Sequence, residues 1–330
     1  TVLDQNGRVV VQRRLPNELV PSFVGNFHVE KIGLEASTYV APLYRVLVNR
    51  GYRVEVSHPK KTRYIAEARI KSDRVDSRAI AELVRLDSLP KSYMPPPDIA
   101  ALREKVRRRA FLVRERAKLK TKIRGVLAYE GVKPPKGLNI FTRKGVDWLR
   151  SLGLEPVDCY LRLMYPLNGE IRRLSLELKR MVGVDEDVRL LMTIPGIGYY
   201  LALLIKAEIG DVNRFNSGDH LCSYAGLVPS TYSSGGVTRH GGMTREGSRW
   251  LRWAMVEAAM THIKYDTAIT RAYHRIAERS GKQVAIGAAA RRILMSCYSV
   301  LKKRRPYRAF PDGQAFKETP RRSAAPFGGR

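Results

Sequence analysis

The run Val29-Glu30-Lys31-Ile32-Gly33-Leu34-Glu35-Ala36-Ser37 decides the first part of the fold. Its apolar stretch from Val29 to Leu34 reads as a strand. Val40, Leu43 and Leu47 then recur at helical spacing across Val40 to Val48, and after the turn Asn49-Arg50-Gly51 the residues Arg53 to Val56 read as a second strand. Strand, helix, strand is the order of an α/β domain. Upstream, Val9-Val10-Val11 after Gly7 is another strand, and downstream Pro90 with Pro95-Pro96-Pro97 closes the domain as a linker. The first domain is therefore placed at 1–96.

Beyond that linker the period changes. Ile99, Leu102, Val106, Ala110, Val113 and Ala117 recur every three or four residues, with Arg103, Arg107, Arg108, Arg109, Arg114 and Arg116 on the remaining surface. A second helix from about Val157 to Val182 carries Leu161, Met164, Leu167, Ile171, Leu174, Leu178 and Met181. Two heptad-like helices separated by a Pro/Gly-containing stretch, Gly131 to Gly153, predict either an antiparallel hairpin or a dimerising coiled coil over 97–184. The arginine density of the first helix, above all Arg107, Arg108 and Arg114, favours contacts with a nucleic-acid backbone over a plain solvated face. A third, mostly helical region is expected over 185–305, with a Gly/Ser-rich flexible turn from Ser230 to Gly247. The tail at 306–330 is rich in Pro, Gly and Arg and is expected to be disordered. The fold class is thus α/β plus mainly α.

Charge identifies the partner. The chain has 330 residues, with 60 Lys and Arg against 31 Asp and Glu, for a net charge of +29. Such a chain attracts polyanions by counterion release, which points to nucleic acid. No apolar run reads as long enough to span a bilayer, and the polar opening residues do not read as a signal peptide. The scattered Cys159, Cys222 and Cys297 have neither CxxC spacing nor a histidine pair nearby, so they read as small core residues of a reduced compartment rather than a disulfide framework or zinc site.

Four segments carry candidate chemistry. Glu35 ends a strand, where α/β folds gather active groups, though a charge there is also an ordinary strand ending. Asp73 and Asp76 lie three apart at the start of a helix that continues through Ile80, Leu83 and Val84, which puts both on one face. A divalent cation such as Mg²⁺ reconciles two such charges, and the alternative is an N-cap followed by a solvated first-turn acid. The run Thr193-Ile194-Pro195-Gly196-Ile197-Gly198 resembles a helix–hairpin–helix turn, in which Gly196 and Gly198 let backbone N–H groups approach a phosphate. Ordinary helix packing is the other reading. Last, a serine in Ser230-Thr231-Tyr232-Ser233-Ser234-Gly235-Gly236 can attack phosphorus if cations neutralise the phosphate, and Arg239, His240, Arg245, Arg249 and Arg252 follow closely enough to do so.

Together these pieces resemble the DEDD-type insertion-sequence transposases whose recombination is guided by a bridge RNA. The resemblance rests on Leu34-Glu35-Ala36-Ser37, Lys71-Ser72-Asp73-Arg74-Val75-Asp76-Ser77, Ile194-Pro195-Gly196-Ile197-Gly198 and Phe215-Asn216-Ser217. To these it adds Tyr224-Ala225-Gly226-Leu227-Val228-Pro229, and Ser234-Gly235 followed by Thr244-Arg245-Glu246-Gly247-Ser248-Arg249-Trp250-Leu251-Arg252. It implies a RuvC-like (RNase H-like) domain joined through a coiled coil to a domain bearing a catalytic serine. Glu35, Asp73 and Asp76 then match the second, third and fourth acids of a Mg²⁺ site. Ser234 matches the nucleophile, with Ser233 as the fallback, and two protomers contribute to one composite site. DNA, a guide RNA and a second copy of the chain are the implied partners, and a prokaryotic, cytoplasmic, nucleoid-associated location the implied setting. The family's first aspartate lies on an opening strand. Thr1-Val2-Leu3-Asp4 looks instead like the second strand before its turn Gln5-Asn6-Gly7, so the first strand and its acid are expected to be missing, and Asp4 is not assigned that role. The competing readings are a nucleic-acid-binding protein without catalysis and a junction nuclease that uses the RuvC-like domain alone.

Overall fold

The computed structural model describes residues 1–58, 61–62, 73–234, 237–244 and 246–308, with 73–76 and 231–240 described by their backbone. It forms two compact units, Thr1–Pro96 and Pro97–Arg330. The tail expected to be disordered lies, from residue 309 on, outside the described residues.

In the first unit β1 (Val2–Leu3) and β2 (Val9–Val11) form an antiparallel ribbon, whose turn is held by Asp4 Oδ1 accepting from the backbone N–H groups of Asn6 and Arg8. A short helix α1 (Val20–Val24) precedes β3 (Ile32–Leu34), α2 (Val40–Asn49) and β4 (Val54–Val56). β3 and β4 pair in parallel, Ile32 against Val54 and Leu34 against Val56, so the expected strand–helix–strand unit is present. The first strand is shorter than Val29 to Leu34, and Lys31 at its foot is drawn into a 2.7 Å ion pair with Asp87. The described strands pair two by two, in three separate ribbons.

Helix α3 (Asp73–Arg85) lies on β3. Its Ile80, Leu83 and Val84, with Leu89, form the buried cluster of this unit, and a Cβ on Gly33 would come within 2.6 Å of Val84 Cγ2 and 2.7 Å of Ile80 Cγ2. The direction of α3 follows from the Lys31–Asp87 pair, because the residue before β3 meets the residue just past the end of α3. α3 therefore runs antiparallel to β3, and its N-terminus lies at the carboxyl end of the strand.

The second unit is helical. α4 (Pro97–Tyr129), α5 (Arg143–Ser151) and α6 (Glu155–Met181) lead into α7 (Glu186–Met192), α8 (Tyr199–Ile209), a 3₁₀ turn (Val212–Arg214) and α9 (Gly218–Tyr224). Next come β5 (Pro229–Ser234), β6 (Val237–Met243), α10 (Arg249–His262), α11 (Ala268–Ser280) and α12 (Lys282–Lys303). α4 and α6 pair within the chain as an antiparallel hairpin. Lys105 meets Glu177 at 3.1 Å, Arg109 Nε donates to Ser175 Oγ at 3.0 Å, and Arg116 Nη1 to Asn168 Oδ1 at 3.2 Å, so one number rises as the other falls and the pair is antiparallel.

Packing continues across residue 184, since Leu102, Val106 and Leu178 belong to one core with Val188, Leu203, Leu251 and Ile293. The Pro/Gly stretch from Gly131 to Gly153 contains a helix that its composition concealed: Thr142 caps α5 by accepting from Gly145 N–H, and Leu149 is fully buried. α12 is long and apolar enough to pass for a membrane span by composition. It lies instead in the core, with Ala290, Ile293, Leu294 and Cys297 buried among the other helices.

Candidate functional site

Topology brings the three candidate acids of the first unit to one end. Glu35 is exposed and directly follows β3. Asp73 opens α3 and Asp76 lies one turn later, seven and four residues before Ile80, which packs over Gly33. With α3 antiparallel to β3, strand end and helix start coincide. The side chains of Asp73 and Asp76 lie outside the described residues. At the same end Ser57 N–H donates to Leu34 O at 2.8 Å, and Ser57 Oγ is buried without a hydrogen-bond partner. Three acidic residues and a buried hydroxyl without a partner at one end of the unit are hard-oxygen donors of the kind Mg²⁺ prefers, so the residue types fit that ion. Asp4 sits at the other end, where the neighbouring Gln5 carbonyl accepts from Arg85 near the close of α3.

In the second unit the stretch expected to be a flexible turn is a two-stranded ribbon. β5 and β6 pair from Pro229–Met243 at the base to Ser234–Val237 at the tip, with a bulge between Pro229 and Thr231. The sequence pair Gly235-Gly236 is a hairpin signal that the reading of this stretch as a flexible turn leaves unused. Register matters here, because opposite residues share a face and faces alternate along each strand. Tyr232, Ser234, Val237 and Arg239 fall on one face, and Ser233, Thr238 and His240 on the other. Ser234, not Ser233, thus shares a face with Arg239. The side chains of both serines and of Arg239 lie outside the described residues, as does Arg245 altogether.

The base of the ribbon is clamped. Thr244 N–H donates to Val228 O at 3.0 Å, Ser248 N–H to Tyr224 O at 2.8 Å, and Arg252 Nη1 to Ala225 O at 2.9 Å. Gly226 (φ +65°) and Gly247 (φ +85°) both occupy left-handed backbone, and a Cβ on either would lie 2.2 Å from Glu246 O or 2.1 Å from Tyr224 O respectively. The two sequence motifs around Tyr224 and around Thr244 are therefore two halves of one backbone junction.

That junction is tied to a carboxylate that sequence reading missed. Glu208, on apolar α8, is fully buried. Arg107 grips it with two hydrogen bonds, Nε to Oε1 at 2.7 Å and Nη2 to Oε2 at 2.9 Å, and Ser248 Oγ donates to Oε2 at 2.9 Å. Ser248 Oγ also caps α10 by accepting from Leu251 N–H. A charged residue in the last turn of Leu201-Ala202-Leu203-Leu204-Ile205-Lys206-Ala207-Glu208-Ile209 was the available signal, since buried charges need partners.

The expected cations fall into two groups. Arg107 and Arg252 make internal contacts, and Arg108 pairs with Glu104 one turn away at 3.4 Å. Arg114 and Arg249 are exposed, and the guanidiniums of Arg107 and Arg114 lie 5.8 and 5.6 Å from the Trp250 ring. Arg249 stands in the first turn of α10, which carries no acid, where a cation opposes the helix dipole. The Thr193–Gly198 loop joins α7 to α8. A Cβ on Gly196 would meet Ala258 O at 2.5 Å, so this glycine serves contact with α10, whereas Gly198, the N-cap of α8, faces open space.

Pro195 O accepts from His262 Nδ1 at 2.7 Å, which leaves Nε2 to accept from Thr267 Oγ1 at 2.9 Å. Burial holds the His262 pKa below the usual histidine value, so the neutral ring fits this network. Burial pushes the Cys222 thiol up to about 11 and that of Cys297 upward as well, and both are inert core residues. Cys159 is half-buried.

Comparison with known proteins covers both units. Residues 188–275 match the profile described as Transposase IS116/IS110/IS902 family, and residues 1–129 match a DEDD profile of the IS110 type described as Transposase. The chain is 28% identical over 320 residues to the transposase for insertion sequence element IS1111A of Coxiella burnetii, covering 93% of this chain and 87% of that one. It is 26% identical to the transposase for insertion sequence element IS1328 of Yersinia enterocolitica, covering 79% of each. Over 128 residues it is 31% identical to the pilin gene-inverting protein of Moraxella bovis, covering 38% of this chain and 39% of that one.

Proposed function

Because the chain belongs to the IS110/IS116/IS902 family of insertion-sequence transposases, we propose that it cleaves and rejoins DNA through Ser234, assisted by Mg²⁺ held by Glu35, Asp73 and Asp76. The observation that carries the reading is the ribbon register, which sets Ser234 at the tip and on the face of Arg239, above a base fixed by buried Glu208. A nucleophile needs a positioned backbone and nearby positive charge, and this arrangement supports both. The relatives named as transposases and as pilin gene-inverting proteins support the rearrangement of DNA segments as the task.

In the step proposed, Ser234 Oγ loses its proton and forms a bond to a backbone phosphorus. The bond from that phosphorus to one deoxyribose oxygen breaks, and the departing oxygen leaves with a proton. A deoxyribose hydroxyl of the new partner strand later attacks the same phosphorus and restores the serine. Arg239 and exposed Arg249 neutralise phosphate charge, and Gly198 at the open start of α8 offers backbone N–H groups to the same polyanion. Mg²⁺, when bound by the three carboxylates, supplies charge neutralisation at phosphate oxygens. A guide RNA and a second protomer sharing a composite site belong to the same reading.

The test is a covalent-adduct assay on element-junction DNA with Mg²⁺ and RNA transcribed from the element's flank. A protein–DNA adduct that disappears in Ser234→Ala, persists in Ser233→Ala and is lost in Asp73→Asn with DNA affinity retained is the expected result. An adduct that survives Ser234→Ala, or binding without any adduct in the unsubstituted chain, overturns it.

A further inference from the structure

The far end of the α4–α6 hairpin forms a small lobe with its own core. Ile123 and Leu127 of α4 pack with Ile140, Leu149, Val157 and Leu161, away from the main core of the unit. Between Lys118 and Lys144 the sequence holds eight basic residues and a single acid, Glu130. Of those eight, only Lys118 has an acidic partner among the described residues, Glu115 at 2.9 Å. Lys120 and Arg124 crowd one ring, 4.7 and 5.1 Å from the centre of Phe141, and burial together with Arg116 and Arg124 pulls the Lys120 pKa down. Like charges gathered without acids cost the isolated protein self-repulsion, and a polyanion removes that cost.

The same lobe has a cavity of about 630 Å³. Leu127, Ala128, Val132 and Ile140 line it together with Arg124 and Lys133, and both of these cations are exposed. The backbone around it is fixed. Val132 N–H donates to Leu127 O at 2.8 Å, Asn139 Oδ1 accepts from Phe141 N–H, and Thr142 Oγ1 donates to Asn139 O at 2.7 Å. A largely apolar hollow of this size that two exposed cations also line suits, in a chain of net charge +29, a ligand with both apolar and anionic parts. That ligand has a flat apolar body and an anionic backbone.

We propose that this lobe is a second nucleic-acid site, whose cavity takes an unpaired base of a single strand while Arg124 and Lys133 hold the flanking phosphates. A duplex offers no free base, so the strand is single. It comes either from opened DNA or from a loop of folded RNA, two sources with the same chemistry. The site does not depend on Ser234.

The experiment measures binding of labelled oligothymidylate, oligouridylate and blunt DNA duplex to the full-length chain across a salt series. Ala128→Phe fills the cavity without changing charge. It is expected to weaken single-strand binding by about tenfold, leaving duplex binding and the salt slope unchanged. Arg124→Ala with Lys133→Ala is expected to lower the salt slope by about 1–2. Whichever oligonucleotide loses more affinity in Ala128→Phe names the source as DNA or RNA. If Ala128→Phe binds both oligonucleotides as the unsubstituted chain does, the proposal is wrong. Should that variant unfold, photo-crosslinking the unsubstituted chain to a thiothymidine oligonucleotide decides: cross-links within 124–141 support the site, and cross-links confined elsewhere overturn it. The cavity test reads oligonucleotide affinity without cleavage, so a failure of the serine reading leaves this one standing.

Discussion

The two units use carboxylates in opposite ways. Glu35, Asp73 and Asp76 stand where a strand ends and a helix begins, and Glu35 is exposed to solvent. Glu208 is fully buried and joins α4, α8 and the start of α10 through Arg107 and Ser248. In the first unit the fold supplies an end at which charges collect; in the second a charge supplies the joint on which the fold depends. An acid that positions backbone and an acid that awaits a cation can be told apart by whether its own partners are already in place.

The largest expected effect tests that distinction at the Arg107–Glu208 pair. Arg107→Ala leaves Glu208 buried with only Ser248 to answer its charge. It is expected to lower the stability of the helical unit by about 3 kcal/mol or more in urea unfolding. Glu208→Gln keeps shape and loses only the charged partner, so about 1 kcal/mol is expected. If Arg107→Ala costs almost nothing in stability yet weakens DNA binding, Arg107 is a nucleic-acid ligand that merely rests near Glu208, and the contrast between the units fails.

Next in size is the backbone junction beneath the ribbon. Gly247→Ala sets a Cβ about 2.1 Å from Tyr224 O at a φ of +85°, where side chains are rarely tolerated. A loss of about 2 kcal/mol is expected, along with proteolytic nicking of the 229–243 ribbon that the unsubstituted chain resists. Intact protection in Gly247→Ala would mean the clamp is not what holds the serine strand.

A smaller effect is pH-dependent. The folded-state pKa of His262 is depressed by burial, so below about 6.5 the unfolded chain binds a proton that the native ring refuses. Stability contributed by the neutral ring is complete above that pH and falls as pH drops toward the depressed folded value. The slope cannot exceed about 1.4 kcal/mol per pH unit. Thermal unfolding at pH 7.5 and 5.5 is expected to show that decline in the unsubstituted chain, and His262→Gln should flatten this part of it. An identical decline in His262→Gln assigns it to other groups.

What was legible in the sequence follows the range of the interactions. The strand–helix–strand run and the two long helices are local periodicities, and they appear within a few residues of where the spacing puts them. α5 was concealed because Pro134, Pro135, Gly137 and Gly153 dominate the composition around it, although Thr142, Val146 and Leu149 carry its cap and its buried face. The ribbon reads as a flexible turn because its strands are polar and rich in Ser and Gly, and such strands carry weak alternation. Glu208 could not be assigned from sequence, since its partners Arg107 and Ser248 lie 101 and 40 residues away and only tertiary packing unites them. The acids at 35, 73 and 76 could be singled out by type and position, yet their meeting at one end required the direction of α3. That direction came from one long-range ion pair, Lys31 with Asp87.

The smallest expected stability effect closes the comparison on the side of the first unit. Glu35→Gln removes a charge from an exposed residue at a strand end, and a change of less than about 0.5 kcal/mol in stability is expected. If its carboxylate serves a cation, the same substitution removes Mg²⁺-dependent strand cleavage while duplex DNA affinity stays within about twofold, because one neutralised acid adds nothing that phosphates repel. Calorimetric titration of Mg²⁺ into the unsubstituted chain and into Glu35→Gln reads the ion directly. Weaker Mg²⁺ binding at unchanged stability makes Glu35 an acid that awaits a cation. Unchanged Mg²⁺ binding with a stability loss as large as that of Glu208→Gln would make it another joint, and the two units would then use their carboxylates alike.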